Sequence, residues 1–204
     1  MISESGKIFI IDDDERVRRS LSLLMVSTGY EVNTYSAAEE FISSGESNVT
    51  GCILLDIFLD GASGLDMQEE ISKKFFCLPI IYITGQGDIP MSVQAFKKGA
   101  INFLQKPVDD QLLLVAVEEA LIQSRERYNE KQEEIQLNSL VNSLTNRELQ
   151  IYRLLITGML NKQIAAELNI AEHTVKLHRG KITGKLGVKS VAELVKLAQK
   201  LNLV

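Results

Sequence analysis

At the centre of this chain stands the stretch Cys52-Ile53-Leu54-Leu55-Asp56-Ile57-Phe58-Leu59-Asp60-Gly61. An apolar run that leads directly into the carboxylate of Asp56 and is bounded by turn residues is typical of a strand buried on both faces of a parallel sheet. In open α/β sheets, ligands bind outside the carboxyl ends of the strands, where Asp56 would lie. Taken alone, Asp56 is more often a residue that caps the following loop, so the other strand ends decide between the two interpretations.

Strand and helix patterns alternate on either side of this stretch. Short apolar runs predict strands, and amphipathic segments that end at Gly29 and Gly99 predict helices. The predicted strands are Lys7–Asp12, Glu31–Tyr35, Gly51–Asp56, Pro79–Thr84 and Asn102–Gln105. Alternating strand–helix units with short connections predict an α/β fold, with a five-stranded, doubly wound parallel sheet and helices on both faces.

A run of acids, Asp12 to Glu15, follows the first predicted strand. Acids at the start of a helix cap free N–H groups and suit the helix dipole, and this explanation remains open for Asp14 and Glu15. It does not explain why Asp12 and Asp13 meet Asp56 at one edge of the sheet. Two unit charges about 4 Å apart interact by about 4 kcal/mol at a surface-like dielectric, so this cluster of carboxylates requires a cation.

The candidate ligands in this cluster are all oxygen atoms. Oxygen ligands favour a hard cation, and few carboxylates with room for water suit Mg²⁺ better than Ca²⁺. Thr84 ends the fourth predicted strand and Lys106 follows the fifth. Their hydroxyl and ammonium groups would complete a pocket for a group with several anionic oxygens, which indicates a phosphoryl group.

The charge of the chain is divided unevenly between its two halves. Residues 1–123 carry 9 Lys and Arg against 19 Asp and Glu, whereas residues 141–204 carry 10 against 4. An acidic half joined to a basic half predicts two domains with different partners, and the basic one suits a polyanion. No apolar run approaches the roughly 18–20 residues of a membrane span and no signal-peptide pattern is present, so we expect a cytoplasmic protein without a membrane partner. Cys52 and Cys77 lack metal or redox spacing and are predicted to be reduced core thiols.

A helix-turn-helix pattern lies in the basic half. It consists of a short helix at Asn161–Leu168, a tight turn and a longer basic helix at Glu172–Leu186. At about 100° per residue, Val175, Ile182 and Leu186 fall on one face of the longer helix and are predicted to be core.

The opposite face of the longer helix is predicted to contact DNA. Lys176 would contact guanine or phosphate and Leu177 a thymine methyl group, while the other cations are better placed for phosphates. Gly180 would permit close approach of the DNA, although a glycine that is merely tolerated is an equal alternative. The predicted DNA-contacting residues are His173, Thr174, Lys176, Leu177, Arg179, Gly180, Lys181 and Lys185.

Residues 1–120 resemble the receiver domain of two-component response regulators, which has a flavodoxin-like fold. The run from Ile83 to Val93, with Lys98-Gly99-Ala100 and Lys106-Pro107, is especially similar to the FixJ subfamily. The resemblance implies that a partner histidine kinase phosphorylates Asp56 in a transfer assisted by Mg²⁺. The implied site residues are the Mg²⁺ ligands Asp12, Asp13, Asp56 and the Phe58 carbonyl, the phosphoryl contacts Thr84 and Lys106, and a switch formed by Thr84 and Phe103.

Two features of this half leave alternatives. Asp60 stands where the family usually has proline, and it is expected to loosen the turn and to affect the rate of phosphorylation. Phe103 is either the switch aromatic or an ordinary core aromatic.

The alternative function is an enzyme, a Mg²⁺-dependent phosphohydrolase with Asp56 as nucleophile. Such phosphatases commonly carry an aspartate two residues after the nucleophile, where this chain has Phe58, so we expect no enzyme.

Residues 141–204 resemble the LuxR/NarL-type DNA-binding domain. The matching motifs are Leu144-Thr145-x-x-Glu148, Asn161-Lys162-Gln163-Ile164-Ala165, Thr174-Val175-Lys176-Leu177-His178 and Lys185-Leu186-Gly187-Val188. With the receiver, this implies a transcription regulator that dimerises when phosphorylated and binds two DNA half-sites, with RNA polymerase as a further partner. The expected domains are a receiver at 1–120, a helical linker at 121–140 and the DNA-binding domain at 141–204.

A partial heptad repeat marks the linker. Leu114, Leu121, Tyr128 and Ile135 recur every seven residues, while the positions between them, such as Ser124, are polar. The pattern predicts a linker helix that pairs weakly with a second chain. A solvated single helix is an equal alternative.

Overall fold

The structure is a computed structural model that describes residues 6–59, 63–85, 89–201 and 203. The chain divides into two compact units, a sheet unit of residues 1–129 and a helical unit of residues 130–204. Asp60, which departs from the family pattern, lies outside the described residues.

The sheet unit is built on a five-stranded sheet with the strand order β2-β1-β3-β4-β5. All neighbouring strands pair in parallel. The strands are β1 Lys7–Ile11, β2 Glu31–Tyr35, β3 Gly51–Asp56, β4 Ile80–Thr84 and β5 Asn102–Gln105. The predicted doubly wound parallel sheet is therefore confirmed, with strand ends within one residue of those predicted.

Helices connect the strands and form the whole of the helical unit. Those up to the linker are α1 Glu15–Ser27, α2 Ala38–Ser44, α3 Gly64–Lys74, α4 Ile89–Lys97 and α5 Asp110–Asn142. Those that follow are α6 Asn146–Ile156, α7 Asn161–Glu167, α8 Glu172–Leu186 and α9 Val191–Lys200. None of the helices in the described part of the chain is long and apolar enough to span a membrane.

Both faces of the sheet are covered by apolar side chains. Along β1, Phe9 and Ile11 belong to the core on one face with α2 and α3, whereas Ile8 and Ile10 belong to the core on the other face with α1 and α5. Every residue of β3 is buried. A shift of β3 by one residue would exchange its two faces, so this burial fixes the strand register and the position of Asp56 at the strand end.

The long helix α5 contributes to both units. Leu121 is buried and Leu114 partly buried in the core that α1 and α5 form against the sheet. Leu121 of the predicted heptad line is therefore not available to pair with a second chain. Tyr128 and Ile135 remain partly or largely exposed, and pairing through them stays a prediction.

The helical unit packs around one apolar core. Val175, Ile182 and Leu186 of α8 are all buried in it, which confirms the core face predicted from the helix period. The helix ends at Gly187, whose φ of 66° lies in the left-handed region that glycine adopts without strain.

Candidate functional site

The carboxylates of Asp12, Asp13 and Asp56 meet at the carboxyl edge of the sheet, where single oxygens from all three lie within 4.8 Å of one another. This follows from the pairing of β1 with β3, because Ile11 lies opposite Leu55 and each strand then runs into an aspartate. Asp12 and Asp56 are buried, with 2% and 7% of their surface exposed, whereas Asp13 is exposed.

Lys106 bridges two of these carboxylates. Its Nζ lies 2.6 Å from Asp12 Oδ2 and 2.6 Å from Asp56 Oδ2. Burial raises the pKa of Asp12, against the opposing hydrogen bond from Lys106. Burial also acts to lower the pKa of Lys106, but its hydrogen bonds to the two carboxylates outweigh this, and the pKa is raised. The ammonium therefore stays charged and partly neutralises the cluster.

Backbone N–H groups hold the other oxygens of the two buried carboxylates. The N–H of Asp14 donates to Asp12 Oδ1 at 3.0 Å, and the N–H of Phe58 donates to Asp56 Oδ1 at 3.1 Å. The cluster offers oxygen ligands only, two of them held in place and one exposed to solvent. This set fits a hard divalent cation that retains some of its water.

Thr84 and Phe103 lie on the next two strands of the sheet, β4 and β5. Thr84 is buried at the end of β4, and its carbonyl accepts the N–H of Lys106 at 2.8 Å. The peptide bond between Lys106 and Pro107 is cis. Phe103 on β5 is partly buried against the core on the α2–α3 face, and its role as a switch stays a prediction.

The second candidate site is the solvent-facing side of α8. His173, Lys176, Leu177, Gly180 and Lys181 are all exposed there. Leu177 leaves 62% of its surface in solvent, on the side of α8 opposite the three apolar residues that the helix buries in the core. An exposed apolar residue among lysines is suited to a groove with a charged wall and apolar groups on its floor.

Two cations of α8 have partners within the helical unit. Lys185 Nζ lies 2.7 Å from Oε2 of Glu148, which is only 3% exposed. Arg179 Nη1 donates to Asn161 Oδ1 at 3.4 Å. The ion pair therefore gives Lys185 a structural role in holding α6 and α8 together, which its position in the sequence does not indicate.

Two family models match the chain. The response regulator receiver domain matches residues 8–118, and the LuxR family of bacterial regulatory proteins matches residues 142–198. The chain belongs to the response regulators. Its matched DNA-binding domain places it among those that regulate transcription, as the resemblance predicted.

Relatives match this response regulator along nearly its whole length. Nodulation protein W of Bradyrhizobium diazoefficiens is 43% identical over 201 residues, which cover 98% of this chain and 88% of that protein. Transcriptional regulatory protein TdiR of Thauera aromatica is 40% identical over 194 residues, covering 94% and 84%. Among solved structures, response regulator StyR has a TM-score of 0.78 at 45% identity, covering 96% of this chain and 99% of that one. None of these matches favours the phosphohydrolase alternative.

The acidic pocket is predictable from the sequence, whereas two residues that support the sites are not. The structure brings Asp12, Asp13, Asp56 and Lys106 together, as the strand ends predicted. Arg18 was missed because an arginine on an amphipathic helix is ordinarily solvated. In the structure its Nη1 donates to the carbonyls of Asp12 and Asp13. Glu148 appears in the sequence only as part of a family motif, because its contact with Lys185 spans 37 positions and leaves no local pattern.

Proposed function

We propose that this response regulator accepts a phosphoryl group on Asp56 from a histidine kinase, and that the phosphorylated form binds two DNA half-sites as a homodimer. The observation that carries the proposal is the bridge from Lys106 to Asp12 and Asp56 at 2.6 Å, in a chain that also carries a basic helix-turn-helix. A buried carboxylate with a fixed cation beside it is suited to receive a group that brings further negative charge.

Each residue of the acidic pocket has its own role in the transfer of the phosphoryl group. Asp12, Asp13, Asp56 and the Phe58 carbonyl would hold Mg²⁺, which when bound supplies positive charge to the phosphoryl oxygens. A carboxylate oxygen of Asp56 forms the new bond to phosphorus as the bond from phosphorus to the kinase histidine nitrogen breaks. The Lys106 ammonium then moves from the carboxylates onto the phosphoryl oxygens, and the Thr84 hydroxyl donates to them.

Phosphorylation is coupled to DNA binding through dimerisation. We assign the switch to Thr84, which follows the phosphoryl group, and to Phe103, which follows Thr84. Joining two DNA-binding domains in a dimer raises the effective concentration of the second domain once the first has bound its half-site. RNA polymerase is the proposed further partner, and the cytoplasm is the proposed location because the DNA lies there.

We propose a revised set of DNA contacts on α8. Lys185 is omitted from this set, because its ammonium forms an ion pair with the buried carboxylate of Glu148. The proposed contacts are His173, Thr174, Lys176, Leu177, Arg179, Gly180 and Lys181.

The test compares the full-length protein with and without phosphorylation. An operator is first selected from a random DNA pool, and the protein is then treated with Mg²⁺ and a small phosphodonor such as acetyl phosphate. We expect the treatment to double the mass in solution and to raise operator affinity, and we expect Asp56→Asn to abolish both effects. Equal mass and equal affinity before and after phosphorylation would disprove the coupling. Phosphoryl uptake that survives Asp56→Asn would disprove the assignment of the acceptor.

A further inference from the structure

Arg18 makes two hydrogen bonds to the backbone beneath the acidic cluster. Its Nη1 lies 2.6 Å from the carbonyl oxygen of Asp12 and 2.9 Å from the carbonyl oxygen of Asp13. These carbonyls belong to the two consecutive peptide groups that flank Asp13. Fixing both of them fixes the direction in which the Cα–Cβ bond of Asp13 leaves the chain.

Asp13 depends on its backbone more than the other two acids of the cluster. The carboxylates of Asp12 and Asp56 are each held by Lys106 and by a backbone N–H. Among the hydrogen bonds of the described residues, none holds the carboxylate of Asp13. Its position beside Asp12 and Asp56 therefore rests on the orientation of the two peptide groups that Arg18 binds.

The place of Arg18 on its helix is otherwise unfavourable. Helix α1 begins at Glu15, so Arg18 lies at the positive end of the helix dipole. A cation there costs about 0.3–1 kcal/mol relative to a neutral residue. Carbonyl oxygens of the preceding loop offset that cost, because hydrogen bonds from a charged donor are stronger than those between neutral groups.

We infer that Arg18 is a positioning residue for the divalent cation: it holds the loop between β1 and α1 so that Asp13 faces Asp12 and Asp56. This inference rests on the proposed function of the pocket as a Mg²⁺-assisted phosphoryl acceptor. Arg18 does not touch the cation or the phosphoryl group and acts through the backbone of Asp13. Supporting residues of this kind typically change metal affinity by about 10- to 100-fold when they are removed.

The test measures Mg²⁺ binding to the full-length protein by calorimetry, well below its unfolding temperature. Arg18→Ala should raise the dissociation constant about tenfold. Arg18→Lys keeps the charge on a single ammonium nitrogen but loses the planar guanidinium, and it should give an intermediate value. Arg19→Ala removes an exposed arginine from the adjacent position and should leave the constant unchanged. An unchanged dissociation constant in Arg18→Ala would overturn the inference.

A double substitution separates positioning from a general loss of structure. If Arg18 acts through Asp13, adding Arg18→Ala to Asp13→Asn should weaken Mg²⁺ binding little further, whereas independent effects would multiply. Multiplying effects would overturn the inference. The phosphorylation rate should need more Mg²⁺ in Arg18→Ala but reach the wild-type maximum.

The outcomes also separate this inference from the proposed function. The wild-type protein could fail to take up a phosphoryl group while Arg18→Ala still weakens Mg²⁺ binding. That result would overturn the proposed function and retain the role of Arg18. Normal phosphoryl uptake with unchanged Mg²⁺ affinity in Arg18→Ala would overturn the role of Arg18 alone.

Discussion

At the scale of single residues, the buried carboxylate of Glu148 makes the stability of the helical unit depend on pH. The hydrogen bond from Lys185, followed by that from the Thr145 backbone, lowers the pKa of Glu148 from 4.5 to about 2. Because the folded pKa lies below the ordinary value, the stabilisation is complete above pH 4.5 and is lost as the pH falls toward about 2. We expect the free energy of unfolding to fall across this window, and we expect Glu148→Gln to flatten that dependence.

Urea unfolding at a series of acidic pH values, followed by circular dichroism, measures this dependence. Lys185→Ala should destabilise the unit near neutral pH, because it leaves the Glu148 carboxylate buried without its cation. Lys181→Ala is the matched control, since Lys181 is exposed on the same helix and should leave stability unchanged. If Lys185→Ala and Lys181→Ala are equally stable, the ion pair does not contribute to folding.

At the scale of helices and strands, Ser124 fastens α5 to the sheet. Its hydroxyl is fully buried, accepts the N–H of Gly51 at 2.9 Å and donates to the carbonyl of Cys77 at 2.6 Å. Ser124→Ala would leave two buried backbone groups without these partners and should destabilise the sheet unit by about 1–3 kcal/mol. Ser139→Ala, at an exposed position of the same helix, should change stability by less than about 0.5 kcal/mol. Denaturant unfolding of the two variants measures the difference, and equal stabilities would contradict this account of Ser124.

The positions of strands and helices could be predicted from the sequence, whereas some of the tertiary contacts between them could not. Strand β3 could be predicted because a strand buried on both faces requires an unbroken apolar run. The end of α1 near Gly29 could be predicted because the φ of 91° at Gly29 suits glycine. In the sequence, Ser124 is only a polar position within the partial heptad repeat. Its partners lie 73 and 47 positions away, so only the folded chain reveals them.

The acidic pocket was predictable for a related reason. The carboxyl ends of parallel strands must lie at one edge, so topology alone brings Asp12 and Asp56 together. The hydrogen bonds of Arg18 and the ion pair of Lys185 depend on side-chain rotamers. A periodic pattern of residue types does not specify side-chain rotamers, so these contacts could not be predicted from the sequence.

The glycines of α8 lead to a prediction in which stability and affinity change in opposite directions. Gly180 and Gly184 are exposed, and a Cβ added to either would have no neighbour within 4 Å in the described part of the chain. Each therefore lowers helix stability by about 1 kcal/mol relative to alanine, with no compensating contact inside the unit. If the missing side chains permit close approach of DNA, Gly180→Ala and Gly184→Ala should raise the melting temperature and weaken operator binding.

Gln199→Ala provides the control for these glycine variants. It places alanine at an exposed position of α9 and should leave operator affinity unchanged. If the glycine variants are more stable but bind the operator as tightly as the wild type, both glycines are merely tolerated.

At the scale of the whole molecule, the separation of charge leads to a prediction about salt. Residues 141–204 carry 10 Lys and Arg against 4 Asp and Glu, whereas the acidic residues concentrate in the sheet unit. Binding of basic side chains to phosphates releases counterions, so operator affinity should fall steeply with salt. The slope of log affinity against log salt changes by about 0.9 for each phosphate contact that is lost.

The same slope reports how many subunits bind the operator. Lys181→Ala in the phosphorylated protein should reduce the slope by about 1.8 if two subunits each lose one phosphate contact, and by about 0.9 if only one subunit binds. Leu177→Ala should leave the slope unchanged and reduce the preference for operator over random DNA, because an apolar contact with a base releases no counterion. Lys196→Ala, at an exposed position of α9, is the control for the loss of one positive charge away from α8. Lys181→Ala and Lys196→Ala could also change the slope equally. That result would show that the basic charge of the helical unit acts as a whole and that Lys181 makes no specific phosphate contact.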